Sequence, residues 1–243
     1  MSDLIVPDWP APATVRACST MRAGGVSEAP WDSLNLGYHV GDLPTAVQAN
    51  RQRLVEIAGL PAMPYWLEQV HGTEVIRLDG RKPATHRADA VWSNQTGTVC
   101  AVMTADCLPV LFCSFDGKEV AAAHAGWRGL SAGVLENTLS QFSAPPQEIH
   151  AWLGPAIGPE AFEIGPEVRA AFMAHDPAAA DAFRPAGDKF YADLWLLARQ
   201  RLIAQGVTSV SGGGRCTWHD SAHFFSWRRS GTTGRMASLI WLI

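Results

Sequence analysis

The chain has 243 residues, 47% of them hydrophobic, enough to bury a sizeable core in one domain spanning residues 1–243. Its formal charge of −4, with lysines and arginines scattered, gives no basic footprint for nucleic acid or an anionic membrane and directs attention to a small-molecule partner. Five cysteines without a CxxC pair leave one unpaired in any disulfide scheme, and the start, Met1 to Pro7, lacks a basic region followed by an apolar run of signal length, so the expectation is a cytoplasmic monomer or homodimer.

The first predicted helix runs from Thr45 to Gly59: it follows Pro44, carries Val47, Leu54, Val55 and Ile57 among polar residues, and stops at a glycine. Strands are predicted at Glu74 to Leu78, Thr98 to Thr104, Val110 to Phe115 and Glu119 to Ala123. The apolar stretch from Thr98 to Phe112 is interrupted by Asp106 and Pro109, so it is no membrane span. A helix from Leu130 to Phe142 follows a Gly-Trp-Arg-Gly turn, then come a strand at Ile149 to Leu153 and helices at Pro166 to His175 and Ala192 to Gln205. Strands at Ser209 to Gly212 and Ala237 to Leu242 complete the order. More strands than helices, without strict alternation, favours an α+β domain. No Gly-x-Gly-x-x-Gly or Walker loop follows any strand, which leaves no fingerprint for a dinucleotide or a nucleoside triphosphate.

Three metal-ligand residues stand in turn-rich segments: His71 in Gln69-Val70-His71-Gly72, Cys107 after Thr104-Ala105-Asp106, and His124 before Ala125-Gly126-Trp127-Arg128-Gly129. Two imidazoles and a thiolate make a three-ligand zinc set with a fourth position open to water or substrate. Pro109 predicts that the chain leaves its ladder beside Cys107, and Asp106 suits either a carboxylate that orients an imidazole or a turn cap. The same residues also fit a metal-free thiol hydrolase with Cys107 as nucleophile and a histidine base. Cys18, Cys100 and Cys113, in or beside apolar strands, read as core. His219 and His223 read as a surface loop, and Arg228 and Arg229 as structural cations.

Together with Arg22-Ala23-Gly24-Gly25, Ser33-Leu34-Asn35-Leu36-Gly37, Asn50-Arg51, Ala88-Asp89-Ala90, Leu153-Gly154-Pro155 and Phe224-Phe225-Ser226-Trp227-Arg228-Arg229, these motifs resemble the YfiH / laccase-domain family nearly end to end. Met21, Trp227 and Ser230 depart from that family's commoner threonine, tyrosine and aspartate. The resemblance implies a layered α/β/β/α fold with mixed sheets and a zinc site made by His71, Cys107 and His124. It implies phosphorolysis of adenosine, inosine and methylthioadenosine, with adenosine deamination as a second reaction. Cys107 and His124 are then the catalytic candidates. Arg51 and Arg128 are candidates for phosphate, because guanidinium matches phosphate bidentately, and Gln69 and Asn35 for the nucleoside. The family's copper oxidase label fits poorly, since one thiolate and two imidazoles cannot supply a multicopper centre, although copper remains an alternative ion for the same ligands. Amide hydrolysis in a cell-wall precursor, the peptidoglycan-editing role, is the alternative activity.

Overall fold

Proline and glycine set the first helix. In the computed structural model, which describes residues 4–243 and so leaves part of the chain start read above outside the described residues, β1 (Val15–Ser19) is followed by α1 (Pro44–Ala58). A proline at the first helical position forfeits only an N–H that would lack an intrahelical partner, and Gly59 ends the helix at φ 58°. Next come β2 (Val75–Leu78), β3 (Ala90–Ser93), β4 (Val99–Thr104), β5 (Leu108–Ser114), β6 (Val120–Ala125), α2 (Trp127–Ala132), α3 (Val134–Leu139) and β7 (Ile149–Leu153). The remainder is β8 (Glu163–Ile164), α4 (Pro166–Met173), β9 (Phe183–Ala186), β10 (Lys189–Ala192), α5 (Leu194–Ala204), β11 (Ser209–Gly212), α6 (Trp227–Ser230) and β12 (Met236–Leu242).

Period-two alternation sorts these strands into layers. A mixed six-stranded sheet has the order β11-β7-β5-β6-β3-β2, and an antiparallel three-stranded sheet has the order β1-β12-β4. On β12, Met236, Ile240 and Leu242 face the larger sheet while Ala237, Leu239 and Trp241 face away, towards Leu54 of α1. On β5, Leu108, Val110 and Phe112 point to the helical side with Leu130, Leu135 and Leu197, whereas Leu111 and Cys113 join the inter-sheet cluster. Helices, large sheet, small sheet and α1 thus form four layers, the α/β/β/α arrangement of the expected α+β class. The small sheet β8-β10-β9 lies beside α4 and α5. No helix among the described residues is long and apolar enough to cross a membrane.

Two local expectations need correction. The helix expected from Leu130 to Phe142 is broken at Gly133, whose φ of 107° ends α2 and starts α3 at an angle to it. Pro109 does not stop a strand: it is the second residue of β5. It is tolerated because the β5–β7 ladder begins one residue later, at Val110, and its partner His124 directs its own N–H to the Asp89 carbonyl. The break lies instead at Asp106, where φ is 104°.

Candidate metal centre

The β5–β6 register places Pro109 opposite His124 and Leu108 opposite Ala125, so the turn carrying Cys107 ends beside the histidine. His71, at φ 59°, enters from the loop before β2. The ligating atoms of His71, Cys107 and His124 lie within 4.8 Å of one another; they are the one such group of His, Cys, Asp or Glu found among the described residues. Cys107 Sγ is 3.9 Å from His71 Nε2, and the two imidazoles meet edge to face with centroids 4.8 Å apart.

One buried carboxylate arranges both histidines. Asp89, fully buried, accepts the N–H groups of Val70, His71 and Gly72 at 3.1, 2.9 and 2.6 Å, which pins the His71 loop. Its Oδ1 also pairs with His124 Nδ1 at 2.8 Å, leaving Nε2 of that ring for the centre. The orienting acid is therefore Asp89 and not Asp106, whose carboxylate instead accepts from Thr217 Oγ1 and the Arg228 backbone N–H. Burial opposes ionisation of Cys107, yet the neighbouring His124 and His71 outweigh it and pull the thiol down to about 6. Burial likewise disfavours charge on His124, but the Cys107 thiolate and Asp89 raise that imidazole to about 9. Asp89 itself stays below the usual carboxylate range: burial works against its charge, and His124 with the loop amides overcomes it.

The residues fit a metal ion. A tetrahedral zinc places sulfur and nitrogen ligands about 3.6 Å apart, close to the 3.9 Å between Cys107 Sγ and His71 Nε2. Gly126 leaves the space: a Cβ there would sit 3.0 Å from Cys107 Sγ, 3.1 Å from His71 Cδ2 and 3.6 Å from His124 Cε1. Its φ of −62° is ordinary, so the clearance and not the backbone demands glycine.

The centre opens into a cavity of about 420 Å³, a volume suited to a small ligand. Gln69 and Arg128 line it, as do Trp127, Phe162, Trp227 and Arg228. Arg128 stacks on Trp127, 4.5 Å from the ring centroid. Gln69 is engaged: its amide donates to the Met103 carbonyl at 2.8 Å and accepts the Met103 N–H at 2.7 Å. Asn35 and Arg51 are not brought into the cavity lining. Asn35 is fully buried; its amide donates to Asp42 and Gly37, and its oxygen accepts from Gly37 and Arg235. Arg51 spends Nε and Nη2 on the Leu36 carbonyl between the rings of Tyr38 and Trp66, and burial lowers its pKa to about 10. Both polar groups of Asn35 and two of the Arg51 donors are thus committed to the wall behind the site.

Several lining or supporting residues escaped sequence reasoning. Asp89 carried one usable signal, an acid between two alanines at the head of an apolar run, which is an anomaly unless the charge is paired. Arg228, read as structural, lines the cavity while its Nη1 donates to the Glu163 carbonyl. His39 and Arg235 also reach the lining from distant parts of the chain, with no local motif to announce them. Arg229 is structural, donating to the carbonyls of Thr217, Trp218 and Phe224. His219 and His223 lie in the loop before α6, paired with Cys216 and Asp220.

Residues 16–243 match the family model described as multi-copper polyphenol oxidoreductase laccase. The chain is 63% identical, over the full length of both proteins, to the Escherichia coli protein named purine nucleoside phosphorylase YfiH. It is 50% identical to a Haemophilus influenzae protein named purine nucleoside phosphorylase, with 98% of each chain covered. Among solved structures, a Neisseria meningitidis protein superposes with a TM-score of 0.94 at 51% identity, covering 98% of each chain. YlmD from Geobacillus stearothermophilus gives a TM-score of 0.86 at 30% identity over 96% of this chain and 93% of its own.

Proposed function

We propose, from the premise that the chain belongs to the YfiH / laccase-domain family, that residues 1–243 form one catalytic domain acting as a zinc-dependent purine nucleoside phosphorylase. The observation that carries this reading is a His-Cys-His metal set opening into a cavity lined by arginines and aromatic rings, in a chain so similar to a protein of that name. A purine is planar and its ribose small and polar, which suits Trp127, Phe162 and Trp227 as apolar walls with Arg128 and Arg228 as hydrogen-bond donors to an anion.

In phosphorolysis a phosphate oxygen bonds to the anomeric carbon as the bond to the purine nitrogen breaks; the electron pair leaves with the base, which takes up a proton. The chain's part is to hold phosphate and sugar in line and to balance charge. Arg128 is the phosphate residue of choice, because its guanidinium makes no hydrogen bond to protein among the described residues and lies over the Trp127 ring. Gln69, clamped to the edge of β4, presents a fixed wall to the nucleoside. Asn35 and Arg51 act behind that wall, by holding the Gly37 to Arg235 region in place. Zinc held by His71, Cys107 and His124 supplies Lewis-acid chemistry and activation of water, which is what deamination of adenosine as a second reaction requires. The multi-copper label finds no support in the donor set, since these three ligands can hold one ion.

The test is product analysis by mass spectrometry after incubating zinc-defined protein with adenosine, with and without phosphate. Adenine and ribose 1-phosphate formed only with phosphate support the phosphorylase, and inosine in both buffers supports the deaminase. No turnover of adenosine, inosine or methylthioadenosine overturns the reading and moves the search to cell-wall amides. Arg128→Ala is expected to raise the phosphate KM by roughly tenfold or more while the nucleoside KM moves less.

A further inference from the structure

Asp106 is buried and holds a φ of 104°, a conformation that side-chain-bearing residues seldom adopt. Such a backbone persists where its surroundings over-determine it. Three bonds do so: Oδ1 accepts the Thr217 hydroxyl at 2.7 Å, Oδ2 accepts the Arg228 backbone N–H at 2.6 Å, and the main-chain carbonyl accepts the Ile157 N–H at 2.9 Å. The partners come from the segment after β7, the segment after β11 and the first turn of α6. Arg229 fastens residues 217–229 upon themselves through the carbonyls of Thr217, Trp218 and Phe224, so the segment is cross-linked to itself. Asp106 grips that piece at both ends. Ile157, Trp227 and Arg228 all line the same cavity, and Cys107 follows Asp106 directly.

We propose that Asp106 is a positioning residue that sets the shape of the substrate pocket, by tying α6 with its Trp227 and Arg228 to the turn that carries Cys107. The idea rests on the nucleoside reading above and adds a determinant of substrate fit to it. Asp106 itself reaches the cavity lining, but with its carboxylate oxygens taken up by Thr217 and Arg228 it acts through α6. Its two bonds fix how far Trp227, 57% exposed at the mouth, stands from Phe162 and Trp127 across the cavity. Charge is secondary to this role. An asparagine at the same position still offers a carbonyl oxygen to the Arg228 N–H, and its amide can donate to a Thr217 hydroxyl that turns to accept.

The experiment compares Asp106→Asn, Asp106→Ala and Asp106→Gly with the wild type in the zinc-loaded enzyme, reading nucleoside KM, kcat, zinc content and amide hydrogen exchange across residues 224–231. Asp106→Ala and Asp106→Gly are expected to raise KM tenfold or more, to leave kcat within threefold and zinc content unchanged, and to speed exchange at the start of α6 at least tenfold. Asp106→Asn should stay within threefold of wild type throughout. Glycine separates the lost bonds from backbone strain, since it accepts a positive φ freely. Wild-type KM and exchange in Asp106→Gly would overturn the proposal. So would an Asp106→Asn as damaged as the alanine variant, which would make charge the operative property, or a loss of zinc with KM unchanged, which would make Asp106 a brace for Cys107 alone. If the wild type turns over no nucleoside, the phosphorylase reading fails, and hydrogen exchange still decides whether the tie exists.

Discussion

Cys107 immediately precedes β5 and Cys113 lies near its far end, and their chemistry is opposed. Cys113 is fully buried between the sheets among Leu111, Val120 and Ala122, and burial pushes its thiol up to about 12. Cys107 also meets a burial penalty, yet His124 and His71 bring it down to about 6. Burial alone therefore does not decide whether a cysteine reacts; the groups that share the burial do. The interior of the sandwich is built from apolar contacts that tolerate no charge, whereas the strand ends gather three ligands, one carboxylate and an open space.

The sharpest way to break this contrast is to exchange the sulfur at each end. Cys107→Ala should abolish zinc binding, measured by atomic absorption, and reduce turnover by roughly a thousandfold or more while the circular dichroism spectrum is retained, because one of three ligands is gone and the core is untouched. Zinc content equal to wild type would remove Cys107 from the ligand set. Gly126→Ala should come next: with an ordinary φ the chain accepts alanine, but the new methyl meets Cys107 and His71, and zinc affinity is expected to fall by roughly a hundredfold with little change in melting temperature. Asp89→Asn should weaken zinc by roughly 10- to 100-fold, read by competition with a chromogenic chelator, because the ring of His124 loses its orienting charge.

A titration sharpens the comparison without mutation. In zinc-free protein, iodoacetamide should label Cys107 at pH 7, since a thiol lowered to about 6 is largely thiolate there; the rate should fall as pH drops through 6, where the thiolate takes up its proton. Cys18 and Cys113, both raised to about 12, should remain unlabelled across the same range until the protein unfolds. The smallest effect is expected from Cys113→Ala, about 1–2 kcal/mol of stability in a denaturant titration with zinc content unchanged, the cost of a small core cavity.

What the sequence revealed follows the same division. α1, β7 and β11 were legible because apolar spacing and their proline, glycine or turn boundaries agreed. β3 was not, since Ala90–Ser93 is buried at all four positions and so shows no alternation over a very short run. β9 was obscured by Pro185, and the break between α2 and α3 by a single glycine inside an otherwise helical stretch. At the site, the two histidines and the cysteine were readable as residue types in turn-rich motifs. Their supports were less so: Asp89 acts through amides of a loop 17 to 19 residues back in the chain, and Arg235 and His39 arrive by tertiary folding. The assignment of Asn35 and Arg51 to substrate rested on motif proximity, and the fold directs their hydrogen bonds to carbonyls, amides and a carboxylate instead.

The smaller sheet gives the molecule a particular order of assembly. β12 lies between β1 and β4, with Ser238 paired to Ser19 and Ala237 to Met103, so the middle strand is contributed by residues 236–242. Until those residues have left the ribosome, β1 and β4 have no common partner and the apolar faces meant for α1 and for the larger sheet stay uncovered. Arg235, which immediately precedes β12, reaches the cavity only when that strand is in place. A chain arrested before Met236 would thus carry every metal ligand and still lack the strand that joins β1 to β4, leaving two unpaired strand edges.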